Sequence, residues 1–316
     1  MTRTPTTADL IPTHVPGFET QNLTPDAYAR AVWSIIGEPG DTFDAQAIAE
    51  HGAREALTLI VSGADVFTSP EAAISRDRLR ARIAEGIING SFQTAARIGA
   101  QLLTPDHPHW PHGLADLGTS APHALWARGN TELLTQSPAI AIAGARAATG
   151  YGEHMAMEIT AGLVYRGYTI TSGAAYGIDG MAHRAALASG GRTVAYLAGG
   201  IDRYYPTGHD ALLTRIAATG VVVSEMGCMV PPTKWRFLMR NRLIAASTQA
   251  TVIIEAGHRS GSLNIAGHAA DLGRPVGAVP GPVTSPASSG CHWLIRERGA
   301  TMVTDTAEAA ELTRTN

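Results

Sequence analysis

Short apolar runs alternate with amphipathic segments over the second half of the chain. Apolar runs of about four to eight residues bounded by glycine or proline are typical of buried parallel strands, and the intervening segments have helical spacing. The pattern predicts strands at Ala139–Gly144, Tyr168–Gly173, Thr193–Gly200, Val221–Ser224, Ala250–Glu255 and Pro275–Gly281, preceded by two more at Ile98–Thr104 and Ala124–Arg128. This alternation predicts an α/β fold: an extended, Rossmann-like, doubly wound and mainly parallel sheet with helices on both faces.

The first part of the chain has apolar residues at helical spacing and little β-branched alternation. Thr24-Pro25-Asp26 is a typical helix start, because threonine caps the first turn and proline fits its first position. Further helices are predicted at Phe43–His51, Ala53–Ile60 and Leu79–Ile88. We therefore predict a flexible tail at residues 1–21, a small helical domain at 22–97, the sheet domain at 98–305 and a second tail at 306–316.

The composition of the 316 residues, 45% hydrophobic and 16% charged, is typical of a soluble globular protein. No apolar run approaches the roughly 20 residues that span a bilayer, and the first residues contain no apolar signal-peptide core. A cytoplasmic location is therefore expected. The net charge of −3 argues against indiscriminate coating of nucleic acid, so any DNA or RNA binding requires a local basic groove.

Cysteine and histidine positions give no sign of a metal centre. Cys228 and Cys291 are far apart and outside any CxxC pattern, which favours buried thiols. His107, His109 and His112 follow a spacing through prolines that matches no common ligand frame, so loop histidines are the favoured interpretation. No GxGxxG follows the first predicted strand and no P-loop occurs, and no cofactor is predicted.

A helix is predicted from about Leu238 to Thr248, before the Ala250–Glu255 strand, and cations cluster at its start. The cluster consists of Lys234, Arg236, Arg240 and Arg242, and Arg259 follows the strand. Helix starts already favour anions, because their first N–H groups are unpaired and lie at the positive end of the helix dipole. For any single arginine a solvated helix end is the simpler interpretation, but the group as a whole predicts phosphate binding.

The carboxyl ends of several predicted strands share the same chemistry. Gly144 and Arg146 follow the first strand, Ser172 and Gly173 end the second, and Arg259 and Ser260 follow the fifth. Ligands of open parallel sheets collect at this edge, where glycine allows close backbone approach and arginine supplies a forked charge. The alternative is that the glycines only turn the chain, which leaves Arg146 and Arg259 unexplained.

Asp179 and His183 are spaced one turn apart on a predicted helix. An acid–base pair is conceivable at this spacing, but a structural hydrogen bond between the two side chains is the favoured interpretation. No GxSxG elbow, HExxH or catalytic carboxylate pair is recognisable.

Five motifs, in this order, resemble the DNA-processing protein A family (DprA, also called Smf): SGAAYGIDGMAHRAAL, AYLAGGIDRYYP, FLMRNRLIAAS, HRSGSLNIAGHAADLGRPVGAVPG and SPASSGCHWLIRERGA. The earlier LLTPDHPHWP and APHALWARGN are similar to the segment that leads into that family's extended Rossmann domain. The resemblance covers about residues 98–303, and residues 22–97 have the place and size of the family's helical, sterile-alpha-motif-like domain.

The resemblance implies a homodimeric single-stranded DNA-binding protein without a catalytic step, which protects incoming strands and loads the RecA recombinase during natural transformation. It implies a phosphate-binding pocket that contains Gly144, Arg146, Ser172, Gly173, Arg240, Asn241 and Arg242, with Lys234 in the basic loop before the helix. Base stacking by Trp235 or Phe237 is possible in such a groove.

The sequence departs from the family's usual pattern at two places, and it leaves two rival functions open. Ala145 replaces the family's usual serine, and Leu238-Met239 replace its usual proline. The main rival is a phosphoribohydrolase of the related Rossmann-like group, whose PGGxGTxxE motif would place its acid at Ile265. The other rival is a sensor of a small nucleotide in the same pocket.

Overall fold

The computed structural model describes residues 17–21, 23–64, 69–84, 86–136 and 138–314. Its first part is helical, with helices α1 to α5 at Pro25–Ile36, Thr42–His51, Ala53–Ser62, Pro70–Ala84 and Ile87–Arg97. Thr24 caps α1 as predicted, since its Oγ1 accepts a hydrogen bond from Ala27 N at 3.2 Å. A single helix at Leu79–Ile88 is wrong, because Gly86 adopts a φ of +71° and separates α4 from α5.

The structure describes part of each predicted tail, namely residues 17–21 and 306–314. Residues 1–16 lie outside the described part of the chain. Phe18 is buried and packs edge-to-face against Phe92 and Trp126, so this residue of the predicted tail belongs to the core. At the other end, residues 306–311 form a short helix capped by Asp305, because Ala309 and Leu312 pack into the apolar cluster around the sheet.

The remainder is an α/β sheet domain, which confirms the predicted fold class. Its strands β1 to β9 are Gln101–Leu103, Leu125–Gly129, Ala139–Ala143, Thr169–Ser172, Thr193–Tyr196, Val221–Ser224, Ala250–Ile253, Val276–Ala278 and Thr301–Met302. Within the described ranges they form one sheet in the order β1-β2-β6-β5-β4-β3-β7-β8-β9. The β1–β2 and β2–β6 pairs are antiparallel and the other pairs are parallel.

Helices α6 to α12 connect or follow these strands at Gly150–Tyr165, Ile178–Ala188, Asp210–Thr219, Lys234–Ala246, Ser262–Asp271, Ser289–Glu297 and Thr306–Glu311. Helix α9 begins at Lys234 rather than near Leu238, because Thr233 Oγ1 caps the first turn by accepting from Arg236 N at 3.2 Å. The earlier start places Lys234 and Phe237 on the helix itself.

The helical part shares its core with the sheet. One apolar cluster runs from Trp33 and Leu57 in the helices through Trp126 of β2 to Val222 of β6. Trp126 Nε1 donates to Ser34 Oγ at 2.9 Å across the same boundary. Two further clusters fill the faces of the sheet beneath its other helices. In the described ranges no helix combines the length and apolar character that crossing a bilayer requires.

Asp44 of α2 is a buried carboxyl group in the helical part. Neither of its oxygens has a hydrogen-bond partner in the described structure. Burial and, to a smaller extent, nearby Asp41 raise the pKa of Asp44 from 3.8 to about 8, against the opposing effect of Arg78 and Arg82. The folded protein therefore keeps this carboxyl protonated at neutral pH.

Replacing Asp44 by asparagine is expected to stabilise the protein at pH 8 by about 2–4 kcal/mol. Because the pKa is raised in the folded state, the contribution of the wild-type carboxyl to stability is complete below about pH 4 and is lost as the pH rises towards 8. Urea unfolding of Asp44→Asn and wild type across that range measures the difference, with Glu50→Gln, an exposed carboxyl, as control. A variant less stable than wild type at pH 8 would contradict an uncharged Asp44.

Candidate functional site

A cleft of about 1020 Å³ opens at the carboxyl edge of the parallel strands. The loop after β3 and the loop after β7 form one side, and the first two turns of α9 form the other. From β3 the chain adds β4, β5 and β6 on one side and then returns to add β7 and β8 on the other, so the direction of the connections reverses beside β3. This reversal is the position at which open α/β sheets bind their ligands.

Three exposed cations line this cleft: Arg146 after β3, Lys234 at the start of α9 and Arg259 after β7. In the part of the chain that the structure describes, no carboxylate forms an ion pair with any of them. They come from three separate elements, and their charges are available to an anion in the cleft. The sequence prediction that these three residues meet at one site agrees with their positions.

The loop Ser260–Ser262 lies beside these cations, and two of its three N–H groups are already used: Ser260 N donates to Gly257 O at 3.0 Å and Ser262 N donates to Ser260 Oγ at 3.4 Å. It lines the cleft and leads into α10, whose N-cap residue Gly261 supplies no side-chain hydrogen bond to the first turn. Ser260 Oγ lies 2.8 Å from Ser262 Oγ at the same position. The two hydroxyls and the positive end of the α10 dipole therefore favour an anion at this edge of the cleft.

Two aromatic rings stand in the cleft next to Arg146. The Phe237 and Tyr205 ring centroids are 5.5 Å apart, and the Arg146 guanidinium lies 5.2 Å from the Phe237 centroid. Tyr205 is 48% exposed. Trp235, the other stacking candidate, is exposed but does not line the cleft. Sequence reasoning missed Tyr205, although an exposed aromatic in the loop after β5 was a signal that could have identified it.

Arg242 does not reach the cleft, contrary to the sequence prediction. Its Nη1 and Nη2 donate to the two carboxylate oxygens of Glu225 at 2.8 and 2.7 Å, and its Nε donates to Ser120 O at 2.8 Å. The side chain is 2% exposed. Residues two apart on an α-helix point about 200° away from each other, so Arg240 and Arg242 cannot face the same ligand.

Arg240 forms part of the cleft floor but is not free to grip an anion. Its guanidinium donates to Gly173 O at 2.7 Å, to Tyr196 O and to Asn241 Oδ1 at 3.2 Å. Burial lowers the pKa of Arg240 to about 10, with Asp179 opposing the shift. The residue therefore supplies positive potential from below while it joins the ends of β4 and β5.

Ser172 and Gly173 lie beneath the cleft rather than in it. The Ser172 hydroxyl donates to Ile142 O at 2.6 Å and is fully buried. A Cβ on Gly173 would lie 2.5 Å from the Arg240 guanidinium, so this glycine makes room for Arg240. Gly144 does line the cleft, but a Cβ there would meet Glu255 O at 2.8 Å, so packing also requires it.

Asn241 connects the two sides of the site. Its Nδ2 donates to Asn264 Oδ1 at 3.0 Å, which fastens α9 to the first turn of α10. The residue lines the cleft, as expected for a member of the predicted pocket. Its amide therefore orders the Ser260–Ser262 loop in addition to facing the ligand space.

Asp179 is a buried carboxyl group on the cleft floor. Burial raises the pKa of Asp179, and Arg240 and the backbone N–H groups of Ala175 and Gly144 partly oppose the shift. The predicted hydrogen bond to His183 is wrong. The His183 Nδ1 pairs with Thr193 Oγ1 at 2.7 Å and its Nε2 has no partner among the described residues, because the histidine points into the core below β5.

The cysteines and the histidines singled out in the sequence occupy separate places in the fold. Cys228 and Cys291 are buried, unpaired thiols. His107 and His109 lie in a loop, where His109 Nδ1 is 2.9 Å from Thr131 Oγ1, and His112 begins a 3-10 helix. Over the described ranges, no group of three histidine, cysteine or acidic residues is arranged to hold a metal ion.

Comparison with known proteins shows which family this chain is similar to. The family model described as DNA recombination-mediator protein A matches residues 101–314. A Mycobacterium tuberculosis protein named DNA processing protein DprA is 51% identical over 226 residues, which cover 68% of this chain. The chain spans 58% of the length of that curated relative.

Two solved structures are similar over most of their own length. DNA processing protein A from Streptococcus pneumoniae superposes with a TM-score of 0.75 at 30% identity, covering 92% of this chain and 98% of the other. The protein of the same name from Helicobacter pylori superposes with a TM-score of 0.61 at 28% identity, covering 68% of this chain and 98% of the other. The Helicobacter pylori structure is described in terms of its mode of single-stranded DNA binding.

Proposed function

This chain belongs to the DNA recombination-mediator protein A family, and on that premise we propose that it binds single-stranded DNA in the cleft. We further propose that it acts as a homodimer in DNA uptake, where it protects incoming strands and loads a RecA-type recombinase. Binding requires no bond to be made or broken, and the protein acts as a mediator rather than as an enzyme.

One observation carries the proposal: three exposed cations, without an ion-pair partner among the described residues, surround one cleft that also contains an aromatic pair. Arg146, Lys234 and Arg259 supply charge for phosphates, and Phe237 and Tyr205 supply ring faces for bases. Single strands are bound without sequence preference by this combination, because every nucleotide has a phosphate and every base has a π-face. A double helix keeps its bases stacked inside and gains nothing from the rings.

The size of the site also supports a polymer. At about 1020 Å³ the cleft exceeds the volume that a single phosphate fills, and it opens to the surface beside Tyr205. The Helicobacter pylori relative is described as a single-stranded DNA binder. We extend that ligand class to this chain because the cationic residues around its cleft are free to accept it.

The phosphoribohydrolase alternative requires a catalytic carboxylate that this chain lacks at the matching position. In the related nucleotide-cleaving enzymes the motif after the equivalent strand ends in a glutamate, and the matching position here is Ile265. Ile265 is buried and lines the cleft, so an apolar side chain occupies the place of the catalytic carboxylate. Asp179 on the floor has a raised pKa and is held by backbone N–H groups, which favours a structural role.

Single-strand affinity is expected to fall with salt and to exceed double-strand affinity. With three phosphate contacts, the slope of log K against log salt is about −2 for single strands, or about a 15- to 20-fold loss between about 50 and about 200 mM salt. Fluorescence anisotropy with a labelled mixed-sequence strand, its duplex and a homopolymer strand measures this. A flat salt response, or equal affinity for the duplex, would overturn the proposed function.

A further inference from the structure

The first turns of α9 form one wall of the cleft. Arg236 attaches this wall to the N-terminal helical part. This residue lies in the first turn of α9, and its side chain, 6% exposed, points away from the cleft. Its Nε and Nη2 donate to the two carboxylate oxygens of Glu38 at 3.1 and 2.8 Å. Its Nη1 donates to Pro231 O at 2.6 Å, so one guanidinium joins the loop, the helix start and the helical part.

Glu38 is fixed from the other side by Arg82 of α4. Arg82 Nη1 donates to Ile36 O at 2.8 Å and to Gly37 O at 2.9 Å, and its Nη2 donates to Glu38 Oε1. Burial acts to raise the pKa of Glu38, but hydrogen bonds from Arg236 and Arg82 outweigh it, so the pKa lies below its usual value. Glu38 is therefore an ionised bridge between two arginines from different parts of the fold.

Close packing surrounds this bridge. A Cβ on Gly40 would lie 2.2 Å from Met239 Cε, and a Cβ on Gly90 would lie 3.0 Å from Met229 Sδ. The loop before α9 is also in contact with α1, because Gly227 N lies 3.4 Å from Ser34 O. The segment 227–239 is thus seated on the helical part at both ends, with Arg236 as its charged contact.

The same turn of α9 carries two ligand-facing residues. Lys234 and Phe237 line the cleft, whereas Arg236 points to the opposite side. A buried arginine without its carboxylate is strongly unfavourable, so loss of Glu38 would drive Arg236 towards solvent and displace the turn. The positions of Lys234 and Phe237 depend on a residue almost two hundred positions earlier in the sequence.

We infer that Glu38 is a positioning residue for the cleft, through which the helical part sets the single-strand affinity. This inference rests on the proposed function, since it names how that same site is controlled. Two effects of Glu38 have opposite signs. Its negative charge repels DNA, so charge alone predicts tighter binding when it is removed. Its ion pair positions Lys234 and Phe237, so the inference predicts weaker binding.

The test compares Glu38→Gln with Asp41→Asn, which also removes a negative charge and an ion pair from the helical part. Asp41 pairs with Arg78 of α4 and caps α2, but none of its hydrogen bonds given by the structure reaches α9. Single-strand affinity is expected to fall roughly three- to tenfold in Glu38→Gln and to stay unchanged or rise in Asp41→Asn. Equal or tighter binding by Glu38→Gln would overturn the inference.

A double-mutant cycle tests whether Glu38 affects the single-strand affinity through Arg236. If Glu38 acts through Arg236, Glu38→Gln should have little further effect on affinity in an Arg236→Gln background. Additive losses would show that Glu38 acts independently of Arg236 and would overturn the inference. Melting temperatures of all variants are measured in parallel, because Asp41→Asn provides a destabilised protein with an intact cleft wall.

Hydrogen exchange separates this inference from the proposed function. Amides of residues 233–239 are expected to exchange faster in Glu38→Gln than in wild type and Asp41→Asn. This readout needs no DNA, so it decides the positioning role even if the wild-type protein fails to bind a single strand. Unchanged exchange at residues 233–239 in Glu38→Gln would overturn the role of Glu38 whatever the affinities show.

Discussion

Replacing Arg242 by alanine is expected to lower the free energy of unfolding by about 3–5 kcal/mol, the usual cost of removing one partner from a buried ion pair. The variant leaves Glu225 7% exposed and without its bidentate partner. It also removes the hydrogen bonds that Arg242 donates to the partly buried carbonyls Ser120 O and Met239 O.

Thermal or urea unfolding measures this effect, and a fall in Tm on the order of 5–10 °C is expected. Arg296→Ala is the matched control, because Arg296 is 74% exposed and, within the described ranges, its ion-pair partner is its neighbour Glu297. Its effect should stay within about 0.5 kcal/mol. A variant at Arg242 as stable as the control would contradict the buried ion pair.

The DNA affinity of the same variant distinguishes the structure from the sequence prediction. A phosphate ligand at position 242 would make Arg242→Ala a binding defect with normal stability. The structure predicts the reverse: weak folding, with near-normal affinity at temperatures where the protein remains folded. Both quantities are measured on the same preparation.

Removing the three free cations together is expected to abolish most single-strand binding. The triple variant Arg146→Ala, Lys234→Ala and Arg259→Ala loses three phosphate partners, each of which contributes about a fivefold gain in affinity at an exposed position, or about 100-fold together. The salt slope should become shallower by about 2, because each contact contributes about 0.7 for single strands. Anisotropy titrations at several salt concentrations measure both quantities.

A control with the same change in net charge isolates the cleft from general electrostatics. Arg184, Arg296 and Arg314 are exposed and do not line the cleft, and their replacement by alanine removes three charges elsewhere. This variant should keep most of the affinity and most of the salt slope. Equal losses in the two triple variants would mean that DNA follows net charge rather than this cleft. Circular dichroism verifies that both variants are folded.

The sequence alone was sufficient for eight of the nine described strands and for the edge of the sheet that carries the site. Strand prediction succeeded because buried parallel strands are short, apolar on both faces and bounded by glycine, which is a local signal. The convergence of Arg146, Lys234 and Arg259 was also predictable, since the carboxyl ends of parallel strands lie at one edge. The start of α9 was missed by four residues, because the cap at Thr233 depends on one side-chain hydrogen bond.

The tertiary structure decided which arginines are free. Arg236, Arg240 and Arg242 look equivalent to Lys234 in the sequence, but Glu38, the carbonyl of Gly173 and Glu225 bind them. These partners lie up to 198 residues away in the chain, and no local pattern specifies them. A cation can bind a ligand only when no internal acceptor holds it, and the complete packing of the chain determines which cations meet that condition.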